Sequence, residues 1–282
     1  MRYPHILASL RSAKWAVRPA TLEAIRSLLS SRLVAGHHPV SSSDSLAIAP
    51  TRPRADAAPA SITAPLLGGT AVIRFFGICA KRISAMEADC GGVSLETLQR
   101  DLALAIDNPR VTRIVLHIDS PGGTVTGIPE LVTRLREWSA QKPIYAFADN
   151  LCASAAYWLS TGCTALFATP TADLGSIGVY MAIIDESDAW AEAGYRMVLI
   201  KAGEHKADGI QGLPVAPDTI ARWQAEVDDL YALFTTAVLA ARPSVISESM
   251  QGQCFMGTEA LRLGLCDQLV TDLDDLLTQL AT

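Results

Sequence analysis

The sequence predicts an α/β fold with a mainly parallel β-sheet and helices outside it. From about residue 68 onward, short apolar runs alternate with longer amphipathic stretches, a pattern typical of stacked βαβ units. The chain has 282 residues, of which 50% are hydrophobic, so it is long enough and apolar enough to bury one sizeable hydrophobic core. We therefore expect one α/β domain with extensions.

The individual elements follow from the periodicity and from Gly, Pro and Asn at their ends. Strands are expected at residues 70–76, 113–118, 144–148, 165–168, 178–184 and 197–200. Helices are expected at residues 94–106, 128–141, 154–160 and 218–241. The last helix has Asp218 or Thr219 as its expected N-cap, and its apolar stripe is expected to pack in the core or against a subunit.

Composition divides the chain into four parts. Residues 1–36 are expected to form a helical N-terminal extension, most clearly over residues 20–34, and residues 37–66, rich in Ser, Ala and Pro, a flexible linker. The folded domain is expected to span residues 67–270, and residues 271–282 to form a C-terminal tail.

Charge and composition argue against several classes of partner. The formal net charge of −6 argues against a broad basic surface for nucleic acid. No stretch reaches the roughly 18 to 20 apolar residues that a membrane span needs, and the first twenty residues lack the apolar core of a signal peptide. The six cysteines form no C-x-x-C pair and are expected to be reduced and mostly buried. These features predict a cytoplasmic protein.

A glycine loop is the first candidate for chemistry. Asp119-Ser120-Pro121-Gly122-Gly123-Thr124 follows a predicted strand and precedes a predicted helix. Paired glycines let a backbone turn with its N–H groups outward, which can hold an oxyanion. The alternative interpretation is an ordinary strand-to-helix turn.

Ser154 is the candidate nucleophile. It lies in Ala153-Ser154-Ala155-Ala156-Tyr157, after a predicted strand and at the start of a helix. There it would gain from the helix dipole and from a neighbouring backbone N–H. Taken alone, a serine in an alanine-rich helix is most often a packing residue.

A nucleophilic serine needs a base, and histidine is the usual one. His5, His37 and His38 fall in the extension and linker, His117 falls in a strand where it is expected to pack or hydrogen-bond, and His205 is the remaining rival. Lys206 follows a predicted strand in the loop Lys201-Ala202-Gly203-Glu204-His205-Lys206. A lysine acts as a general base only when neutral, which requires that burial lower its pKa from about 10.4 to near 7.

Together these segments resemble the signal peptide peptidase A family of serine peptidases, whose fold is similar to that of ClpP and the crotonases. The resemblance rests on the glycine loop Ser120 to Gly123, the serine helix Ala153 to Tyr157, the expected strand Gly175 to Val179, the Lys206 loop, and a closing segment from Phe255 to Asp267. These motifs are weak singly, but they fall in one order over about residues 68–270.

The resemblance implies roles for these residues. Ser154 is expected to be the nucleophile and Lys206 the general base, with the backbone N–H groups of Gly123 and Ala155 forming the oxyanion hole. A substrate strand is expected to bind along Gly175, Ser176, Ile177 and Gly178 by β-augmentation. Neither metal nor cofactor is required by this chemistry.

Within the family, Ala202 to Gly209 is most similar to the phage prohead proteases that trim scaffold and head proteins during capsid maturation. The expected partner is therefore a polypeptide, including capsid scaffold or portal proteins, in host cytoplasm or procapsid. The resemblance also implies a homo-oligomer. Three alternatives stay open: a cytoplasmic signal-peptide or protein-degrading peptidase of the same family, a crotonase-like acyl-coenzyme A enzyme, and a non-catalytic assembly protein.

Overall fold

The computed structural model of the chain describes residues 14–17, 68–84, 87–88 and 91–281. Its strands are β1 Trp15–Val17, β2 Thr70–Phe76, β3 Ile78–Ala80, β4 Gly92–Ser94, β5 Arg113–Ser120, β6 Gly122–Thr124, β7 Ile144–Ala153, β8 Ala165–Ala168, β9 Asp173–Gly175, β10 Cys254–Met256 and β11 Gln268–Leu269. Its α-helices are α1 Leu95–Asp107, α2 Ile128–Gln141, α3 Ala155–Ser160, α4 Ser187–Glu192, α5 Pro217–Ala241, α6 Gly257–Arg262 and α7 Leu273–Ala281.

The main sheet has the strand order β10-β9-β7-β5-β2, with β8 also paired to β7 and β11 paired to β8. All its pairings are parallel except β10 with β9. The predicted α/β class with a mainly parallel sheet is confirmed. A second sheet has the order β1-β6-β3-β4. It places β6, which is part of the glycine loop, beside β3 near the start of the domain.

Apolar residues cover both faces of the main sheet. On one face, β5 packs Ile114, Leu116 and Ile118 into a core that it shares with helices α1, α2 and α3. On the other face, Val115 and its neighbours pack under Leu276 of α7. This alternation along β5 is what a central strand covered on both sides requires.

Most predicted elements lie where the periodicity placed them. Helix α1 is capped by Ser94, whose side chain accepts a hydrogen bond from the Thr97 N–H at 3.3 Å. Helix α5 begins earlier than predicted: its N-cap is Ala216 with no side-chain bond, and Pro217 occupies the first turn. The expectation of Asp218 or Thr219 as N-cap is therefore wrong, because Pro at the first helical position is already suited to that start.

Two predicted strands are not formed. Residues 178–184 make a single isolated bridge, through Tyr180, and residues 197–200 have no regular structure. Val198 is 76% exposed and Ile200 is 94% exposed, and no strand within residues 14–17, 68–84, 87–88 and 91–281 pairs with this apolar run. A β-branched run becomes a strand only where the fold supplies a partner.

Other expectations can be checked in part. The predicted helix at residues 20–34 and the linker 37–66 lie outside the described residues, while the described part of the N-terminal extension is strand β1. His117 packs against Phe76 and Phe147 and hydrogen-bonds Asp149 at 2.8 Å, as predicted. Cys79, Cys152, Cys163 and Cys266 are free thiols.

Arg242 ties the end of α5 to the main sheet. Its guanidinium, on a side chain only 7% exposed, donates to both carboxylate oxygens of Asp267, at 3.0 and 2.8 Å. Asp267 also accepts a hydrogen bond from the Leu166 N–H at 2.6 Å. Although partial burial by itself raises the pKa of Asp267, the hydrogen bonds from Arg242 and Leu166 outweigh it and hold that pKa below its ordinary value.

We expect Asp267→Asn to lower the free energy of unfolding by about 1–3 kcal/mol at neutral pH, because Arg242 then lacks a charged partner and Asp267 is partly solvent-screened. Since the folded pKa is depressed, this contribution is present above the ordinary pKa of about 3.9 and is lost as pH falls through the folded pKa. Urea unfolding of both proteins at several pH values measures it. Glu259→Gln, which breaks an exposed pair with Arg262, is the control and should change the free energy of unfolding far less, because solvent screens this pair. A wild-type to Asp267→Asn difference that stays constant below pH 4 would contradict the assignment.

Candidate active site

Ser154 lies at a sharp turn between β7 and α3. Its backbone has φ 56° and ψ −120°, a conformation that costs a non-glycine residue free energy and is found most often at functional sites. The turn is held by hydrogen bonds from the Ser154 N–H to the Gly175 carbonyl at 2.7 Å and from the Trp158 N–H to the Ser154 carbonyl at 2.8 Å. The side chain is therefore presented at the carboxyl end of a central strand, at the edge where α/β proteins bind ligands.

The glycine loop packs directly against this turn. A Cβ added to Gly122 would lie 2.9 Å from the Ala155 nitrogen and 2.9 Å from the Ser154 Cβ. Ser120 holds the loop in place, since its Oγ donates a hydrogen bond to the Gly77 carbonyl at 2.6 Å and accepts one from the Gly122 N–H at 3.2 Å. Gly122–Thr124 of the loop forms the short strand β6, which the sequence did not predict, and α2 starts at Ile128 as predicted.

The residues predicted to bind substrate lie beside Ser154. Ser154, Ser176, Ile177 and Gly178 line one cavity of about 310 Å³, and the Gly175 carbonyl is the one that holds the Ser154 N–H. The expectation of a continuous strand from Gly175 to Val179 is wrong. Gly175 and Ser176 have φ values of 115° and 51°, so the chain turns there and β9 ends.

Lys206 is not at this cavity within the single chain. It lies in an exposed turn, where its N–H donates to the Gly203 carbonyl at 3.3 Å, and it is not among the lining residues. His205, the rival base, does not line the cavity either. Its Nδ1 lies 3.1 Å from an Asp208 carboxylate oxygen.

Helix α5 contributes cavity residues to which the sequence analysis assigned no role. Gln224, Asp228 and Tyr231 line the cavity, and the Tyr231 hydroxyl donates to the Met250 carbonyl at 2.6 Å. The three follow one another at spacings of four and three residues, which places them on one helix face. In the sequence, these polar residues lie beside the apolar stripe of the helix, and that pattern is the signal that could have identified them as cavity residues.

Strand β1 also contributes to the cavity, and the sequence did not predict this. Val17 lines the cavity, and Trp15, Ala16 and Val17 are 6%, 0% and 2% exposed. A three-residue strand inside an extension carries too short a pattern to be recognised.

Two properties of the described residues bear on expected partners. Among residues 14–17, 68–84, 87–88 and 91–281, no group of three or more His, Cys, Asp or Glu side chains is arranged to hold a metal ion. Within those same ranges, no helix combines the length and the apolar character needed to cross a bilayer.

A strained serine at a strand-to-helix turn, with a glycine loop packed against it, is the arrangement of α/β proteins that carry an activated serine nucleophile. The family comparison agrees with this class. The chain belongs to peptidase family S49, whose model matches residues 136–282. The matched span includes Ser154, Ser176 and Lys206, whereas Gly123 precedes it. The expected relation to signal peptide peptidase A-type enzymes is confirmed by this membership.

Three curated relatives are similar over most of the chain. The head-tail preconnector protein GP5 of Enterobacteria phage P21 is 29% identical over 74% of this chain and 42% of its own length. The capsid assembly protease C of Escherichia phage lambda is 29% identical over 74% of this chain and 48% of its own length. The chloroplastic serine protease SPPA of Arabidopsis thaliana is 23% identical over 73% of this chain and 31% of its own length. The chain thus spans less than half the length of these relatives.

Solved structures with similar architecture include two kinds of protein. One is the 1510-N membrane protease specific for a stomatin homolog from Pyrococcus horikoshii, with a TM-score of 0.37 and 14% identity over 74% of this chain and 76% of that one. The other is an enoyl-CoA hydratase/isomerase family protein from Silicibacter pomeroyi, with a TM-score of 0.43 and 15% identity over 76% of this chain and 78% of that one.

Proposed function

We propose that this protein is a serine endopeptidase that uses Ser154 as nucleophile and Lys206 as general base. The observation that carries the proposal is the buried, strained Ser154 beside the glycine loop, in a chain that belongs to a peptidase family. A packing serine would have no reason to hold a positive φ, which costs about 1–3 kcal/mol.

In the proposed reaction, neutral Lys206 accepts the proton of Ser154 Oγ as this oxygen attacks a peptide carbonyl carbon. The backbone N–H groups of Gly123 and Ala155 stabilise the oxyanion that forms. The C–N bond then breaks, Lys206 protonates the leaving amine, and an activated water hydrolyses the acyl-enzyme. Substrate would lie along Gly175, Ser176, Ile177 and Gly178.

Lys206 reaches Ser154, on this proposal, from a second copy of the chain. The segment around it is exposed and carries large apolar side chains without cover, including Ile184 at 66%, Tyr195 at 69%, Val198 at 76% and Ile200 at 94% exposure. Burying such residues against another subunit is favourable. A homo-oligomer would cover this segment and desolvate Lys206, which a lysine base requires.

Capsid scaffold or portal proteins are the proposed substrates, in host cytoplasm or in the procapsid. The support is similarity to two phage proteins whose names refer to head-tail connection and capsid assembly. General degradation of unfolded protein by the same site is the alternative outcome.

Cleavage of a denatured protein and of a co-expressed capsid scaffold tests the function. We expect the wild type to cut, and Ser154→Ala to lose at least about a thousandfold in rate, because a covalent nucleophile has no substitute at this position. Ser160→Ala, which removes another buried hydroxyl of the same helix, is the matched control and should keep activity. Equal cutting by wild type and Ser154→Ala would overturn the proposal, and no cutting by either would favour a non-catalytic assembly role.

A further inference from the structure

Strand β1 is inserted between the glycine loop and the segment after Ser176. On one side it pairs antiparallel with β6, in the register Trp15 with Thr124, Ala16 with Gly123 and Val17 with Gly122. On the other side Trp15 exchanges both backbone hydrogen bonds with Tyr180, at 2.9 and 3.0 Å. An extended segment with a backbone partner on each side binds as an added strand does in β-augmentation.

The Ala16 carbonyl lies close to the candidate nucleophile. The position that a Cβ would take on Gly122 is 2.2 Å from the Ala16 oxygen and 2.9 Å from both the Ala155 nitrogen and the Ser154 Cβ. Val17, the next residue, lines the cavity that contains Ser154. The Ala16–Val17 peptide bond is thus the bond that the strand presents to Ser154.

Contacts at the start of the segment hold it in this register. The Lys14 carbonyl accepts a hydrogen bond from the Val125 N–H at 3.2 Å, and the Lys14 ammonium forms an ion pair with Glu226 of α5. Glu226 also lies 3.6 Å from Arg222, which pairs with Asp208 in the Lys206 turn. Segment and lysine turn are therefore linked through one charge network on α5.

We propose that residues 14–17 bind in the active-site cleft in the register of a substrate, and that the protein cuts its own chain between Ala16 and Val17. This inference rests on the proposed function and adds its binding register and a processing site. Ser154 Oγ bonds to the Ala16 carbonyl carbon, the Ala16–Val17 C–N bond breaks, and the Val17 nitrogen gains a proton. Water then hydrolyses the Ala16 ester, leaving residues 1–16 with a new carboxylate and a chain that begins at Val17.

The same register defines a substrate class. Ala16 is fully buried in the main hydrophobic core, and its strand lies in backbone contact with the glycine loop, since a Cβ on Gly122 would lie 2.2 Å from the Ala16 carbonyl oxygen. The cleft should therefore accept extended polypeptides with a small residue before the cut bond. A large side chain at that position would have to displace the strand.

Intact-mass measurement of freshly purified and then incubated full-length protein tests the inference. We expect wild type to convert to a species beginning at Val17 and Ser154→Ala to stay whole. Ala16→Ser should be cut at a rate within a few-fold of wild type, whereas Ala16→Trp should be cut at least tenfold more slowly. Ala8→Trp, the same change outside the strand, is the matched control and should behave as wild type.

Cleavage of an added denatured protein is measured in the same samples. This second assay distinguishes failure of the self-cleavage inference from failure of the proposed function. If wild type or Ala16→Trp cuts the added protein while wild type keeps residues 1–16, or is cut elsewhere, self-cleavage at Ala16–Val17 is overturned and the proposed function stands. If no sample cuts anything, the proposed function fails and this inference fails with it. Processing at Val17 in Ser154→Ala would also overturn the inference, because Ser154 would not be the group that cuts.

Discussion

Lys206→Arg is expected to cut a denatured protein at least about a hundredfold more slowly than wild type, because a general base contributes about 10²–10⁴ in rate. Arginine keeps the positive charge and much of the length but cannot release a proton near neutral pH. Initial rates of cleavage of the denatured protein by the two proteins measure the effect.

Two neighbours serve as controls for Lys206→Arg. Lys201→Arg changes the same side chain five residues earlier, where the Lys201 ammonium donates to the Glu204 carbonyl, and should keep most activity. His205→Ala removes the rival base and should also stay active. If Lys206→Arg retains full activity while His205→Ala loses it, the base has been misassigned.

Mixing inactive variants tests whether the lysine acts across subunits. Oligomers reassembled from Ser154→Ala and Lys206→Arg chains contain sites with an intact serine from one copy and an intact lysine from another. We expect part of the wild-type rate to return only after mixing. Should every mixture stay inactive although both parents assemble normally, each chain must supply its own pair, and the exposed Lys206 turn would have to move onto its own cavity.

Gly123→Ala is expected to lose at least about a hundredfold in cleavage rate, since one misplaced oxyanion donor costs about 10²–10³. Gly123 joins β6 to Cys79 in β3, and its new Cβ would lie 1.8 Å from the Cys79 carbonyl oxygen. Backbone cannot rotate away as a side chain can. The strand must therefore shift, moving the Gly123 N–H and weakening the sheet by about 1–3 kcal/mol.

The matched control for this change is Gly178→Ala. Its Cβ would meet nothing nearer than 3.7 Å, so the melting temperature should stay close to that of wild type. Because Gly178 lines the cavity, this control is read by thermal unfolding alone. The cleavage rate of Gly123→Ala is then measured at a temperature at which that variant is folded, which separates loss of the oxyanion donor from loss of the fold. A Gly123→Ala protein that cuts at the wild-type rate would exclude the Gly123 N–H from the oxyanion hole.

Periodicity was sufficient where an element buries one continuous apolar face. Strand β2, helix α2 and strand β8 have the predicted bounds. Helix α2 buries one apolar stripe, and the two strands are short apolar runs that are buried over most of their length. The prediction failed for residues 197–200, which read as a strand but pair with no strand in the described part of the chain. Pairing depends on a neighbour that may be far away in sequence, and a local pattern contains no information about it.

The sequence by itself determined the α/β class, the family, and the choice of Ser154 and the glycine loop, because these depend on residue types in a fixed order. Only the tertiary structure decided that Ser154 is strained and buried, that α5 lines its cavity, that Lys206 lies away from it, and that residues 15–17 pair with the glycine loop. Those facts depend on which distant segments meet. Contacts across more than a hundred residues arise from packing the whole chain, and no local spacing predicts them.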